Sequence, residues 1–378
     1  MLRMLTAGES HGPALVGILE GLPANFPVNA AKINEDLKRR HKGFGRGGRQ
    51  SIENDEIEFL AGLRGGLTLG SPVAFLVKNR DYANWQEYMD PEKEPASGRE
   101  ITKPRPGHAD LSGGLKYGFG DLRNVTERSS ARETAVRAAA GSICSQLLSF
   151  FKIEAKSHVL SIGKVSLSEK GYTFQDLARA ETSPVSCIDE STGQKMMREI
   201  RKAEDAGDSL GGSFEVIIRG VPAGLGSYAH WDRKLDARLA YALMSIQGIK
   251  GVEVGAGFSA AAALGSAYHD EIFHSKDKGF YRKSNRAGGI EGGVSNGEDL
   301  VLRAAMKPIP TLRKPLATVD IKTKKAGRAA VERADTTAVP AAAVVGELVA
   351  LTVLAEAFLE VYGADTLEEM KKRWAGSR

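Results

Sequence analysis

The sequence predicts an α/β (α+β) protein made of two similar, internally duplicated α/β units related by a pseudo-twofold axis within one large fold. Three cassettes that recur in the same order carry this expectation. GESHGPALVGILEGLPA at 8–24 aligns without gaps on GDSLGGSFEVIIRGVPA at 207–223, keeping Gly8, Ser10, Gly12, Ile18, Gly21, Pro23 and Ala24. GLRGGLTLGSPVAF at 62–75 matches GIEGGVSNGEDLVL at 289–302 through four glycines and the apolar positions. ERSSARETAVRAAA at 127–140 matches ERADTTAVPAAA at 332–343, two residues shorter.

In chain order, the first cassette reads as a strand entering at a Gly-rich turn. Leu15 to Leu19 is apolar, and Gly21-Leu22-Pro23 ends it. Residues 78–110 are polar and Pro-rich and read as a long surface loop, a type of segment that is usually functional or disordered. The third cassette reads as a helix from Ala131 to Leu148, with Glu133 pairing Arg137 at helical spacing and Ser129 or Ser130 capping the start. The repeats then occupy about 1–150 and 207–360 of a single domain, 1–378. Residues 151–206, more polar and ending in the helical KMMREIRKAEDAGD, connect or decorate them.

Hydrophobic residues at 42% and charged residues at 26% place the chain among globular proteins and away from disordered or fibrous ones. No stretch approaches the apolar run that crosses a bilayer, and MLRMLTAGESHG lacks a signal peptide's apolar segment, so the expectation is a cytoplasmic protein without a membrane partner. Cys144 and Cys187 cannot build a disulfide framework and read as reduced, structural thiols. A net charge of +5 calls for an anionic partner, and nucleic acid is the first candidate to test. The distribution argues against it. The basic residues are arginines set among glycines and histidines at 39–49 and 99–137, which suits a closed site for phosphate and carboxylate.

Duplication separates scaffold from chemistry. Glycines 8, 12, 21, 65 and 66 recur and serve the backbone. His11 faces Leu210 in the alignment, and Asp335 faces only neutral Ser or Ala, so both are candidates for chemistry, while Arg128 and Arg333 recur as a pair that can face one ligand. A lone histidine is more often structural, but the fold does not require one at position 11. His108, in RPGHAD, has Asp110 or Arg105 to tune it, with a turn histidine bonded to backbone as the competing reading.

GFGRGG matches GxGxxG at Gly43, Gly45 and Gly48, yet it follows a basic, helical segment rather than a buried strand, which discounts a dinucleotide site. A flexible loop lined by Arg40, Arg46 and Arg49 is the better reading, against a solvated basic face. On helix 131–148, Arg132 and Arg137 default to the exposed side. Arg128, before Ser129 and Ser130 at the helix start, is the better phosphate ligand. KPIPT at 307–311 is a rigid turn suited to a phosphate or ring edge, or a plain loop. No metal site is expected, since the histidines of HDEIFH at 269–274 are five apart and no Cys/His ligand spacing occurs. No Walker loop is present.

GESHG at 8–12, RPGHAD at 105–110 and RSSARETAVRAAAG at 128–141 together resemble the signatures of the chorismate synthase family. GRGGRQ, QGIKGVEVGAGF, AGGIEGGVSNG, KPIPT and ERADTTAVP extend the resemblance in order across nearly the whole chain. It implies a β/α sandwich, a homotetramer, reduced FMN, and conversion of 5-enolpyruvylshikimate 3-phosphate to chorismate by loss of phosphate and a ring proton, the last common step of aromatic amino acid biosynthesis. By the same resemblance, His11 protonates the departing phosphate, His108 sits beside the N1 side of the flavin, and Asp335 works with flavin N5 in removing the proton. FMN then meets Arg128, Ser129, Ser130, Gln247, Gly248, Gly292, Lys307, Pro308, Ile309, Pro310, Thr311 and Arg333. Arg40 and Arg46 match positions for NADP or for substrate phosphate, and Arg49, Arg105 and Arg132 are expected on the substrate. Whether NADPH or an external reductase reduces the flavin stays open, because the family contains both kinds. Two departures are Glu332, where the family often has Gly, and Gly248, where it often has Ala. The rival readings are a basic nucleic-acid-binding module, which needs neither His11 nor His108, and a nicotinamide-dependent oxidoreductase, which rests on GFGRGG alone.

Overall fold

The computed structural model describes residues 2–46, 54–168, 172–332 and 335–377. The chain begins with β1 (Arg3–Ala7), β2 (Ala14–Glu20), α1 (Ala30–His41), β3 (Ile57–Ala61) and β4 (Val73–Lys78). After a long excursion come α2 (Asp110–Tyr117), α3 (Arg123–Arg128) and α4 (Thr134–Ser149). The second half holds β5 (Glu154–Ile162), β6 (Val165–Ser166), α5 (Glu190–Asp205), β7 (Gly212–Arg219), α6 (Leu235–Met244), β8 (Ile249–Val254), β9 (Leu300–Met306) and α7 (Val339–Tyr362). The short helix α8 (Leu367–Gly376) follows.

The strands form two antiparallel sheets, ordered β1-β2-β4-β3 and β8-β9-β7-β5-β6. Period-two alternation decides which face is buried. Leu15 and Leu19 on β2 and Val73, Phe75 and Val77 on β4 face inward, as do Phe214, Val216 and Ile218 on β7 and Leu300, Leu302 and Ala304 on β9. Helix α4 covers the first sheet, α7 covers the second, and the two helices pack on each other, so the layers run sheet, helices, helices, sheet around one core. The helices meet at Gly141, where an added Cβ would lie 2.2 Å from the Leu348 carbonyl oxygen. Only glycine permits that approach.

The same order of four strands, β1-β2-β4-β3 and β5-β7-β9-β8, occurs in both sheets. Ile18 pairs with Ala74, and at the equivalent cassette positions Ile217 pairs with Val301. Segment 151–206, expected to connect or decorate, contributes the sheet strand β5. Its alternation is hidden by polar residues that find partners inside the fold: Ser157 Oγ donates to Glu347 (2.7 Å), and His158 Nε2 lies 3.1 Å from Glu215.

Helix α4 follows one 3₁₀ turn, Ala131–Glu133, where Ser130 Oγ accepts the Arg132 N–H (3.2 Å). The expected Glu133–Arg137 pairing gives way to other partners. Arg137 reaches the C-terminal end of α6, donating to Ser245 Oγ (2.7 Å) and the Ala242 carbonyl, where free carbonyls attract a cation. Glu133 accepts instead from Thr6 and Gln247.

One expectation needs correction. Helix α7 is 24 residues long and apolar enough to cross a membrane by length and composition, although no such run was read from the sequence. It is the central core helix, with 78% of its most apolar stretch buried. Glu347, in its middle, forms a two-pronged ion pair with Arg39 (both bonds 2.9 Å), and Arg39 also holds Asp36. Attraction to Glu347 holds the Arg39 guanidinium above its ordinary range, against the opposing effect of burial.

Candidate active site

A cavity of about 1230 Å³ opens between the 79–101 segment, α3, the start of α4, the turn 306–311 and the start of α7. That exceeds the ~300–1,000 Å³ usual for a site holding one small ligand. Its walls bring together His11, His108, Asp335, Ser129, Ser130, Gln247, Gly248, Lys307, Pro308, Ile309, Pro310, Thr311, Arg40, Arg46, Arg105 and Arg132, all selected from the sequence.

Each of three cavity histidines is fixed by a buried carboxylate. Glu127, at the end of α3, receives the His11 backbone N–H (2.8 Å) and holds His11 Nδ1 at 2.8 Å, while the imidazole stacks on Trp85 with centroids 4.0 Å apart. This leaves His11 Nε2 as the ring nitrogen for a ligand, with Asp81 3.9 Å away. His108 Nδ1 lies 2.6 Å from Asp110, the carboxylate that also takes Arg105 Nε (2.8 Å) and the Thr126 hydroxyl (2.8 Å). Arg105 Nη1 in turn donates to Thr311 (2.9 Å), and Lys307 bonds the Gly107 carbonyl, so the 307–311 turn is clamped onto the loop carrying His108. The third pair is His41 and Asp55, 2.5 Å apart. Asp55 also binds Arg132 (2.5 Å) and Arg40 (3.4 Å).

Burial alone would raise the pKa values of Asp55, Asp110 and Glu127. It is outweighed by hydrogen bonds from His41, His108 and His11 and by the charges of those histidines and nearby arginines, and all three carboxyls sit below their ordinary range. A depressed carboxyl contributes stability that is fully present above its unfolded pKa and lost as pH falls toward the folded one. The stability gap between wild type and Asp110→Asn should therefore shrink once the pH drops below the ordinary aspartate value of 3.8. Urea unfolding above and below that value reads it, and a gap that widens on acidification would contradict the assignment.

Some sequence-selected residues lie elsewhere. Arg128 ends α3 instead of starting a helix. Its guanidinium points to the Thr6 and Gly8 carbonyls (3.1 and 3.0 Å) and does not line the cavity. Gly292 sits in a turn away from the cavity lining. Arg49 and Arg333 lie outside the described residues. Arg132, expected by default on the exposed side of its helix, is buried and ion-paired. Arg46 pairs with Asp335 (3.0 Å), and burial lowers its pKa. Gly43 and Gly45 follow α1 rather than a strand, and Gly48 lies outside the described residues.

Sequence reasoning missed His41, Asp55, Trp85, Arg99, Arg123 and Glu127. The rule that recurring residues are scaffold hid Glu127, whose cassette partner is Glu332. Both glutamates bind Arg123, at 3.3 and 3.1 Å. Among the described residues, no group of three or more His, Cys, Asp or Glu is placed to hold a metal ion. Both cysteines are buried and free of disulfides, and burial pushes the Cys144 thiol up to about 12, which suits packing and not nucleophilic attack.

The model of the family described as chorismate synthase matches residues 2–359. The chain belongs to the chorismate synthase family. It is 60% identical over 374 residues to a chorismate synthase of Alkaliphilus metalliredigens, covering 99% of this chain and 98% of that protein. A chorismate synthase of Moorella thermoacetica is 56% identical over 378 residues, covering 100% and 98%. A crystal structure of chorismate synthase superposes with a TM-score of 0.80 at 42% identity, covering 100% of this chain and 97% of that one. The fold is therefore the family's mixed helix-and-sheet fold. The nucleic-acid and oxidoreductase readings gain no support from any of these matches.

Proposed function

We propose that this cavity binds reduced FMN together with 5-enolpyruvylshikimate 3-phosphate, and that the protein is a carbon–oxygen lyase expelling phosphate to give chorismate. The observation that carries the reading is the placement of His11 and His108, each locked by its own carboxylate, with Asp335 in one arginine-lined cavity larger than a single small ligand needs. Substrate phosphate and carboxylates and the FMN phosphate are the anions such a wall suits.

The residues present fit a flavin. The buried amide oxygen of Gln247 has no hydrogen-bond partner among the described residues, an acceptor suited to a ligand N–H. Ser129, Ser130, Gln247, Gly248 and residues 307–311 would hold the cofactor, with Arg128, Gly292 and Arg333 assigned by resemblance alone. Reduced flavin supplies electron density that eases C–O cleavage and is recovered at the end. The protein's own part is proton handling and orientation. Glu127 holds His11 so that Nε2 delivers a proton to the leaving phosphate, and Asp335 takes the ring proton. Asp110 sets the plane of His108 beside the cofactor. Arg40, Arg46, Arg49, Arg105 and Arg132 meet substrate phosphate and carboxylates, with NADP as the alternative ligand of Arg40 and Arg46.

A homotetramer belongs to the same proposal. The outer face of the first sheet exposes Leu5 (60%), Ile18 (38%) and Leu60 (56%), an apolar surface that a second copy would cover. A cytoplasmic location, and NADPH or a separate reductase as electron source, complete it. Anaerobic titration of the protein with photoreduced FMN and substrate should give a complex holding one of each per chain. Mutual exclusion of the two ligands would contradict the shared cavity.

A further inference from the structure

Among the described residues, six arginines line the cavity, and five are already matched to a carboxylate: Arg40 and Arg132 to Asp55, Arg46 to Asp335, Arg105 to Asp110, and Arg123 to Glu127 and Glu332. Arg99 differs. Among the described residues its side chain makes no ion pair and no hydrogen bond. Its guanidinium carbon instead lies 4.1 Å from the ring centroid of Trp85 and 4.4 Å from that of Tyr88, while its backbone carbonyl accepts two bonds from Arg123 (3.0 and 2.9 Å). Stacking satisfies the faces of the guanidinium and leaves its N–H edge open, the arrangement that receives a planar or tetrahedral oxyanion. The indole that holds Arg99 is also the one that stacks on His11, so one side chain sets both a cation and a proton donor at the same end of the cavity.

We propose that Arg99 is a substrate-binding residue, gripping the phosphate group that sits beside His11, and that Trp85 is the positioning residue holding Arg99 and His11 in register. The inference rests on the phosphate-ester reading above and adds to it. A cation at this point also favours departure of phosphate, since the charge that develops on the leaving oxygen meets a guanidinium with no other carboxylate to serve.

The test is calorimetric titration of the full chain loaded with oxidised FMN, the state expected to give no product, with 5-enolpyruvylshikimate 3-phosphate and, separately, with chorismate, which lacks the phosphate but keeps the carboxylates. Arg99→Gln should weaken binding of the phosphorylated compound about tenfold to a hundredfold, the range for a lost charged hydrogen bond, and leave chorismate affinity within about twofold. Arg99→Lys should lose less. Trp85→Leu should weaken the same ligand, with Trp85→Phe restoring most of it. Equal losses for both compounds would place Arg99 on a carboxylate and overturn the phosphate assignment, and unchanged affinity for both would remove Arg99 from the site. A wild-type chain that binds neither compound would instead sink the function reading itself.

Discussion

His11→Ala should lower turnover by about two to four orders of magnitude, the usual range for a lost general acid, while FMN still binds. The expectation rests on geometry and not on the histidine alone. Glu127 accepts from the His11 backbone and grips Nδ1, and Trp85 covers the ring face, so the imidazole has one orientation and one free nitrogen. Every element of that cradle belongs to an ordered part of the fold: the turn between β1 and β2, the end of α3 and the 79–101 segment. Single-turnover rates with saturating substrate and reduced flavin read the chemical step directly. Near-normal turnover would remove His11 from the mechanism and leave its carboxylate a structural role.

Glu347→Ala should destabilise the fold by about 1–3 kcal/mol, the cost of taking a buried hydrogen-bond acceptor from its donors. Arg39 would then keep only Asp36 as an anionic partner, in the layer where α1, α4 and α7 meet, and Ser157 would lose its acceptor. Chemical denaturation reads the change. The triple variant Asp36→Asn, Arg39→Met, Glu347→Leu should recover most of it, because Arg39 holds both carboxylates and removing every charge of a buried cluster is often neutral. A single variant as stable as wild type would show that water or a neighbouring group replaces the carboxylate.

Much of this molecule was legible because duplication leaves two readings of each element. The cassette alignment of β2 on β7 and of β4 on β9 is reproduced residue for residue in the strand pairing, with Ile18 opposite Ala74 and Ile217 opposite Val301. The divergence test selected His11 and Asp335, and both line the cavity. Its failure is equally physical. Glu127 and Glu332 recur not as backbone scaffold but because each copy sends a carboxylate to Arg123. Asp55 and His41 gave no signal, since their meaning lies in a through-space cluster that joins α1, the start of β3 and α4. Strand β5 was hidden because His158 and Ser157 are polar yet internally bonded, which breaks the alternation a strand is read by. Arg128 was placed on the wrong end of a helix because α3 and α4 are separate, with a single 3₁₀ turn between them.

The central claim is tested most directly by an anaerobic assay of the purified chain with photoreduced FMN and 5-enolpyruvylshikimate 3-phosphate, following chorismate absorbance and phosphate release against an oxidised-FMN control. The account predicts one chorismate per phosphate, many turnovers per flavin and no product with oxidised FMN. A folded, flavin-binding protein that releases no phosphate under these conditions would contradict it.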